Sequence, residues 1–269
     1  MMVHKAIAFL RRDFIIESSY KFAFLFEIVT TVFPVLSFYF IAKLIGGEEA
    51  QSLSRYGGQY FPFVMIGIAF TQYFMLALRT FANTIRRSQM AGCLEAMLST
   101  PTRPETIVMM SSLYSFAAKL IHILMVFAIS GLVLGVRFGN MNVFSAVAVL
   151  VLTVIAFSSL GILSAAVIVV LKKGDPIEWV FGSMSSLLGG ALFPVSVMPT
   201  WMQKIAALLP ITYSLEAMRL AILKGHSVAM LWRQLAVLGG MGAVLLPFSV
   251  WCFSRAVQKG RRDGSLMHY

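Results

Sequence analysis

Ionisable side chains inside apolar stretches are the residues of this sequence best suited to chemistry, because charge in hydrocarbon is costly and suggests a role. Three qualify: Glu27, Lys119 and His122. Lys119 and His122 lie one turn apart in one apolar segment, and Glu27 lies near the end of another. A Glu27–Lys119 pair would neutralise both charges; snorkelling of each toward the headgroups serves equally well. These three residues are the whole support for an ion- or proton-coupled transporter that works without ATP. Other chemistries have no footing. There is no GxxxxGK[ST] loop, no HExxH and no GxSxG, and no cysteine–histidine cluster spaced for a metal. No paired carboxylates are placed for acid–base work on a lipid.

The elements that must hold these residues are membrane helices. The 269 residues are 59% hydrophobic and 12% charged, with a mean hydropathy of +0.84. A soluble domain would be about a quarter charged. Six segments approach or exceed the ~20 apolar residues that cross a bilayer as a helix: 22–45, 60–81, 106–136, 143–171, 177–192 and 234–253. The ~10-residue alternation of a membrane β-barrel is missing. We therefore expect one all-α membrane domain over 1–269. It comprises an interfacial helix (1–21), a six-helix bundle (22–253) and a basic tail (254–269). The first apolar run is too long for the hydrophobic region of a cleavable signal peptide, so no segment is expected to be removed. The net charge of +11 fits loops facing anionic headgroups, with no nucleic acid as partner.

In Met1–Tyr20, Val3, Ala6, Ile7, Leu10 and Phe14 share a helical face, away from Lys5, Arg12, Asp13 and Glu17. The longest interruption of the first half is Ser88–Pro104. Met90, Cys93, Leu94, Met97 and Leu98 recur at helical spacing, opposite Ser88, Gly92, Glu95 and Ser99. Thr100-Pro101 stops this lever-like helix. Thr102 and Glu105 are spaced as a capping box for the next. On the fifth segment Gly182, Ser186 and Gly190 recur every fourth residue, a small-residue ridge for close helix packing. Pro247 is expected to kink the sixth segment.

Lys and Arg crowd 5–21, 79–103, 172–173 and 255–262 and are sparser between the alternate segments. The richer side is cytoplasmic, which puts both termini and the lever inside. Cys93 and Cys252 then face a reducing compartment and are expected to stay thiols. The segment 193–233 falls outside. There Thr200 and Gln203 are spaced as a capping box after Pro199. Trp201, Met202, Ile205, Leu208 and Leu209 form an apolar stripe before Pro210, and a second short helix fits Tyr213–Lys224. Both are too short to span, so they are expected to dip back and roof a cavity.

At two places the sequence resembles the ABC type-2 permeases. Leu94–Val108, LEAMLSTPTRPETIV, resembles their coupling-helix region. Leu192–Arg219, LFPVSVMPTWMQKIAALLPITYSLEAMR, resembles the signature before their last span. The matched residues there are Phe193-Pro194, Met198-Pro199, Trp201, the proline before Thr212, and the Glu216 and Arg219 end. The motifs cover a modest part of the chain, but six spans with both ends inside fit as well.

The resemblance implies the permease subunit of an ATP-binding cassette exporter in a bacterial cytoplasmic membrane. Two copies of an ATPase subunit would carry ATP and Mg, leaving this chain without a cofactor or catalysis of its own. A second permease chain, as in a homodimer, and membrane lipids complete the partners. Met90, Leu94, Glu95, Met97, Leu98 and Ser99 would couple to the ATPase, with Asp175 in a minor contact. Phe70, Tyr73, Phe74 and Ser186 would line the substrate path, or else pack. Phe193, Pro194, Trp201 and Pro210 would form an outer gate. The uncharged, aromatic spans suit an amphipathic or hydrophobic cargo: a drug, a lipid or a lipid-linked glycan.

Overall fold

The computed structural model describes residues 2–18, 21–44, 51–90, 92, 104–136, 138, 140–171 and 175–262. Leu94, Glu95, Met97, Leu98, Ser99, Thr102 and the Lys172-Lys173 pair lie outside the described residues, as do the side chains of Glu27 and Glu105.

Everything regular in the described residues is helical. The order is α1 (Met2–Ser18), α2 (Lys21–Leu44), α3 (Tyr60–Met90), α4 (Pro104–Leu132), α5 (Val143–Leu171), α6 (Pro176–Leu188), α7 (Thr200–Ala206), α8 (Pro210–Leu223) and α9 (Trp232–Arg262). Four stretches are long and apolar enough to cross a membrane: Tyr60–Ser88, Met109–Leu132, Val143–Leu171 and Trp232–Gly260. Counting α7 and α8 as one broken span raises this to five. The chain is thus a multi-pass membrane protein. The expected six spans are not reached among the described residues. On α2, which is 24 residues long, the apolar part found is Val32–Leu44.

The fifth expected span needs correction. α6 has only 13 residues, about 20 Å of helix against a hydrocarbon core of ~30 Å. Gly189 caps it, and Gly190 at φ +75° turns the chain in a conformation that glycine adopts without strain. The expected ridge breaks up for the same reason. Gly182 is buried near Met75 of α3, Ser186 is exposed, and Gly190 lies beyond the helix.

α3 and α5 are the central pair, with α9 laid along α5. Gly161 is where α3 and α5 press together: a Cβ there would stand 2.6 Å from the Ala77 carbonyl oxygen and 2.9 Å from that of Leu78. Two apolar cores follow from this crossing. The larger lies toward the Tyr60 end of α3 and includes Met65, Phe74, Phe157, Ile211, Leu215 and Met218. The smaller lies toward the Met90 end and includes Phe81, Ile85, Ile168, Phe253 and Val257. α1 packs on α4, where Phe14 meets Tyr114 edge-on at 6.4 Å.

Candidate functional site

At the Tyr60 end the segment after α6 folds into the bundle. α7 and α8 meet at a bend of 89°. The bend is tied by side chains: the Thr212 hydroxyl donates to Ala206 O at 2.7 Å and the Tyr213 hydroxyl to Ala207 O at 2.9 Å. The expected capping box at Thr200 and Gln203 does not form. Pro199 is the N-cap, and no side chain caps the helix. Gln203 instead turns its amide toward Met198 O at 2.8 Å.

α8 starts at Pro210, three residues earlier than expected. Proline's fixed φ and missing N–H suit that first position. The helix is almost wholly enclosed, with Ile211, Leu215, Ala217 and Met218 fully buried. On the α5 side the Thr153 and Ser214 hydroxyls meet at 2.9 Å. After α8, Gly225 at φ +67° passes so close to the Asn140 carbonyl that no side chain fits, and Asn142 N donates to Ala221 O at 3.0 Å.

The centre of this arrangement is Arg219. It is 3% exposed, and its guanidinium is spent on backbone. Nε donates to Phe63 O at 3.1 Å, Nη1 to Gly190 O at 2.8 Å, and Nη2 to Ala191 O at 2.7 Å. Its carbon sits 3.5 Å from the Phe63 ring centroid, a cation–π contact. One side chain therefore joins α8 to α3 and to the turn that ends α6. The two carbonyls of the glycine turn after α6 receive donors from this side chain, and the Phe63 carbonyl in the first turn of α3 receives a further one. Gly67 makes room for it. A Cβ there would run into the Ala191 carbonyl and stand 2.5 Å from Arg219 Nη2. Glu216, one turn earlier, points elsewhere and pairs with Arg55 at 2.6 Å across the loop before α3. Arg219 was matched as the end of the second motif but given no role, and Gly67 was not singled out. The further signal was a single cation in the apolar run of α8.

Pro194 and Pro210 are buried, while Phe193 and Trp201 are exposed. The aromatics expected along a path are packed within the chain. Phe74 stacks on Phe157 at 5.3 Å, Phe70 meets Phe127 at 6.1 Å, and Tyr73 meets Phe116 at 6.0 Å. Ser186 is exposed and donates to Ser183 O at 2.9 Å.

At the opposite end, Met90 is 73% exposed. Asp175 is the N-cap of α6, accepting from Glu178 N at 2.9 Å, and it also accepts the Ser164 hydroxyl of α5. Glu178 pairs with Arg79 of α3 at 2.7 Å. These contacts moor the start of α6 to both central helices. His122 is 2% exposed, with Nδ1 2.9 Å from Ala118 O. Lys119 lines a polar cavity with Thr80, Asn83, Thr84, Arg87 and Ser115. No group of three or more His, Cys, Asp or Glu placed to hold a metal occurs among the described residues.

None of the curated proteins compared with the chain matches it. A family model does. The model described as ABC-2 type transporter covers residues 5–223, from α1 through the enclosed α8 and its arginine clamp, and the chain belongs to that family of membrane permeases.

Proposed function

We propose that this chain is the membrane half of an ATP-binding cassette exporter, paired with a second permease chain and driven by a separate ATPase subunit. The observation that carries the reading is the family match over 5–223. Helix length supports it. α3 has 31 residues, about 46 Å, which exceeds the ~30 Å hydrocarbon layer. Its Met90 end therefore projects from the bilayer, and α4 returns from the same side. In this reading the connecting residues 91–103, which include Glu95, would meet the soluble ATPase subunit.

Arg86, Arg87, Arg255 and Lys259 gather at that end, so it is the cytoplasmic one by the positive-inside rule. The N-terminal helix α1, beside α4, then lies at the same membrane face. Closure of the ATPase dimer would push on Glu95 and its neighbours, with Asp175 and the start of α6 as a minor contact. The push would travel along α3 and α6 to α8 and the outer gate. The cargo best matched to aromatic, almost uncharged helices is amphipathic or hydrophobic: a drug, a lipid or a lipid-linked glycan.

The test is copurification with a tagged chain. An ATPase subunit should elute with the wild-type protein, and Glu95→Arg should abolish that association or uncouple hydrolysis from transport. Purified chain that moves substrate into liposomes without ATP would overturn the proposal in favour of the ion-coupled reading built on Glu27, Lys119 and His122.

A further inference from the structure

Between the last turns of α5 and α9 the packing leaves a groove open. It holds about 500 Å³, a size that suits a small-molecule ligand. Leu163, Val167, Val170 and Leu171 line it from α5, and Trp251 and Ala256 from α9. Its floor is the smaller apolar core, to which Ala166 and Ala256 both belong. Its edge is open, with Val170, Leu171 and Trp251 exposed. An apolar hollow offers water no polar partners, so in a membrane protein hydrocarbon fills it.

Two cations, Arg255 and Lys259, complete the lining. They follow Trp251 at successive turns of α9, on one face, and both are exposed. The Arg255 guanidinium carbon stands 5.6 Å from the Trp251 ring centroid, so the indole holds that cation at the edge of the groove. Neither cation makes an ion pair among the described residues. No acid lines the groove. The acids on α6 are committed elsewhere: Glu178 to Arg79, and Asp175 to the helix cap and Ser164. Like charges one turn apart repel, and an anion between them reverses the sign of that interaction.

Depth narrows the anion to a lipid. Trp232 and Trp251 of α9 are both exposed and stand about 28 Å apart along the helix. That matches the ~30 Å hydrocarbon layer, at whose two boundaries tryptophan settles. Arg255 and Lys259 lie about 6 and 12 Å beyond Trp251, at headgroup level. The groove thus runs from the hydrocarbon boundary into the headgroup layer, with an apolar wall from α5 beside the two cations. Basic pockets between membrane helices at this level suit acidic headgroups. We infer that the α5–α9 groove seats an anionic phospholipid of the leaflet at the Met90 end. Its phosphate lies between Arg255 and Lys259, and its upper acyl chain lies against the α5 wall. The site does not depend on the exporter reading, since lipid retention is measured without ATP or an ATPase.

The experiment uses the full chain, reconstituted in nanodiscs of equal phosphatidylglycerol and phosphatidylcholine. Lipids that stay bound after extraction are counted by mass spectrometry. Wild-type protein should retain phosphatidylglycerol in excess. Arg255→Gln/Lys259→Gln should lose about 25-fold of that preference, at about fivefold per cation. Val167→Phe, which fills the groove and leaves both cations in place, should lower retention as well. Arg11→Gln/Arg87→Gln removes two exposed cations outside the groove and should leave the preference unchanged. An unchanged preference in the first variant, unchanged retention in Val167→Phe, or an equal loss in the control pair would each overturn the site. Cys252 also lines the groove. Disulfide-linked dimers formed through it on mild oxidation of Cys93→Ser protein would show a second copy covering the groove, and would overturn the lipid reading. If the double variant fails to fold, Lys259→Gln alone decides, with an expected loss of about fivefold.

Discussion

Arg219 concentrates more of this structure in one side chain than any other residue. A buried cation is stable only when its donors are matched, and three backbone carbonyls match it here. Arg219→Ala should therefore destabilise by about 3 kcal/mol or more, through the Gly190 and Ala191 carbonyls stripped of their donors and a void. That corresponds to a drop of roughly 6–12 °C in Tm, measured by thermal unfolding in detergent. Arg219→Lys should recover little, because a point charge cannot serve three diverging carbonyls. Gly67→Ala attacks the same clamp from α3, so the two losses should fall well short of additive when combined. Tyr56 lies beside this cluster, 6.0 Å from the guanidinium carbon. Burial first, and then Glu216, push its hydroxyl above the usual range. The folded state thus holds that proton more tightly than the unfolded chain. The resulting stability is complete below pH ~10 and is lost as the pH rises from there through the folded value. Tyr56→Phe should flatten the decline measured above about pH 10 relative to wild type.

At the scale of elements, helix crossings and moorings set the architecture. The α3–α5 contact is a backbone contact, so Gly161→Ala cannot be accommodated by a rotamer change alone. It should cost about 1–3 kcal/mol as the helices are forced apart, read again as a fall in Tm. Asp175 holds the short α6 by its first turn and by Ser164. Asp175→Ala should cost about 1–2 kcal/mol as a lost cap. Asp175→Asn, which keeps an acceptor oxygen, should restore most of the loss. If Asp175 also touches the ATPase, both variants should lower ATPase association while only the alanine lowers Tm.

For the whole molecule, the two ends differ in kind. The Tyr60 end is closed by α8, its hydroxyl ties and the arginine clamp, so motion there requires breaking buried hydrogen bonds. The Met90 end is held by the smaller apolar core and by the partly exposed Arg79–Glu178 pair, worth under about 1 kcal/mol. It also carries the polar α3–α4 cavity. A lever acting at the Met90 end would therefore move the softer end first. Glu95→Arg should then abolish ATPase association without shifting Tm, since its effect belongs to docking rather than to the core. That outcome is checked by copurification alongside thermal unfolding.

Much of the frame was legible in order along the chain. Apolar length alone implied the long helices over 60–81, 143–171 and 234–253, because a helix in lipid satisfies its own backbone and needs no distant partner. Charge asymmetry marked one end as basic, and two short motifs pointed to the family. Local signals failed where a partner far along the chain decides the outcome. Thr200 and Gln203 have capping-box spacing, yet Met198 O captured the glutamine. Gly182, Ser186 and Gly190 share a helical period, yet the helix stops at Leu188. Phe70, Tyr73 and Phe74 fit a path or a core equally by type, and contacts from Phe127, Phe116 and Phe157 put them in the core. Arg219 and Phe63 are separated by 156 positions, and no periodicity links them. The sequence by itself determined that the long apolar stretches are helices of membrane-crossing length, because transfer from water to lipid is a property of each segment. Only the tertiary structure decided which polar atoms meet, because a buried donor is satisfied by whatever carbonyl the packing brings to it.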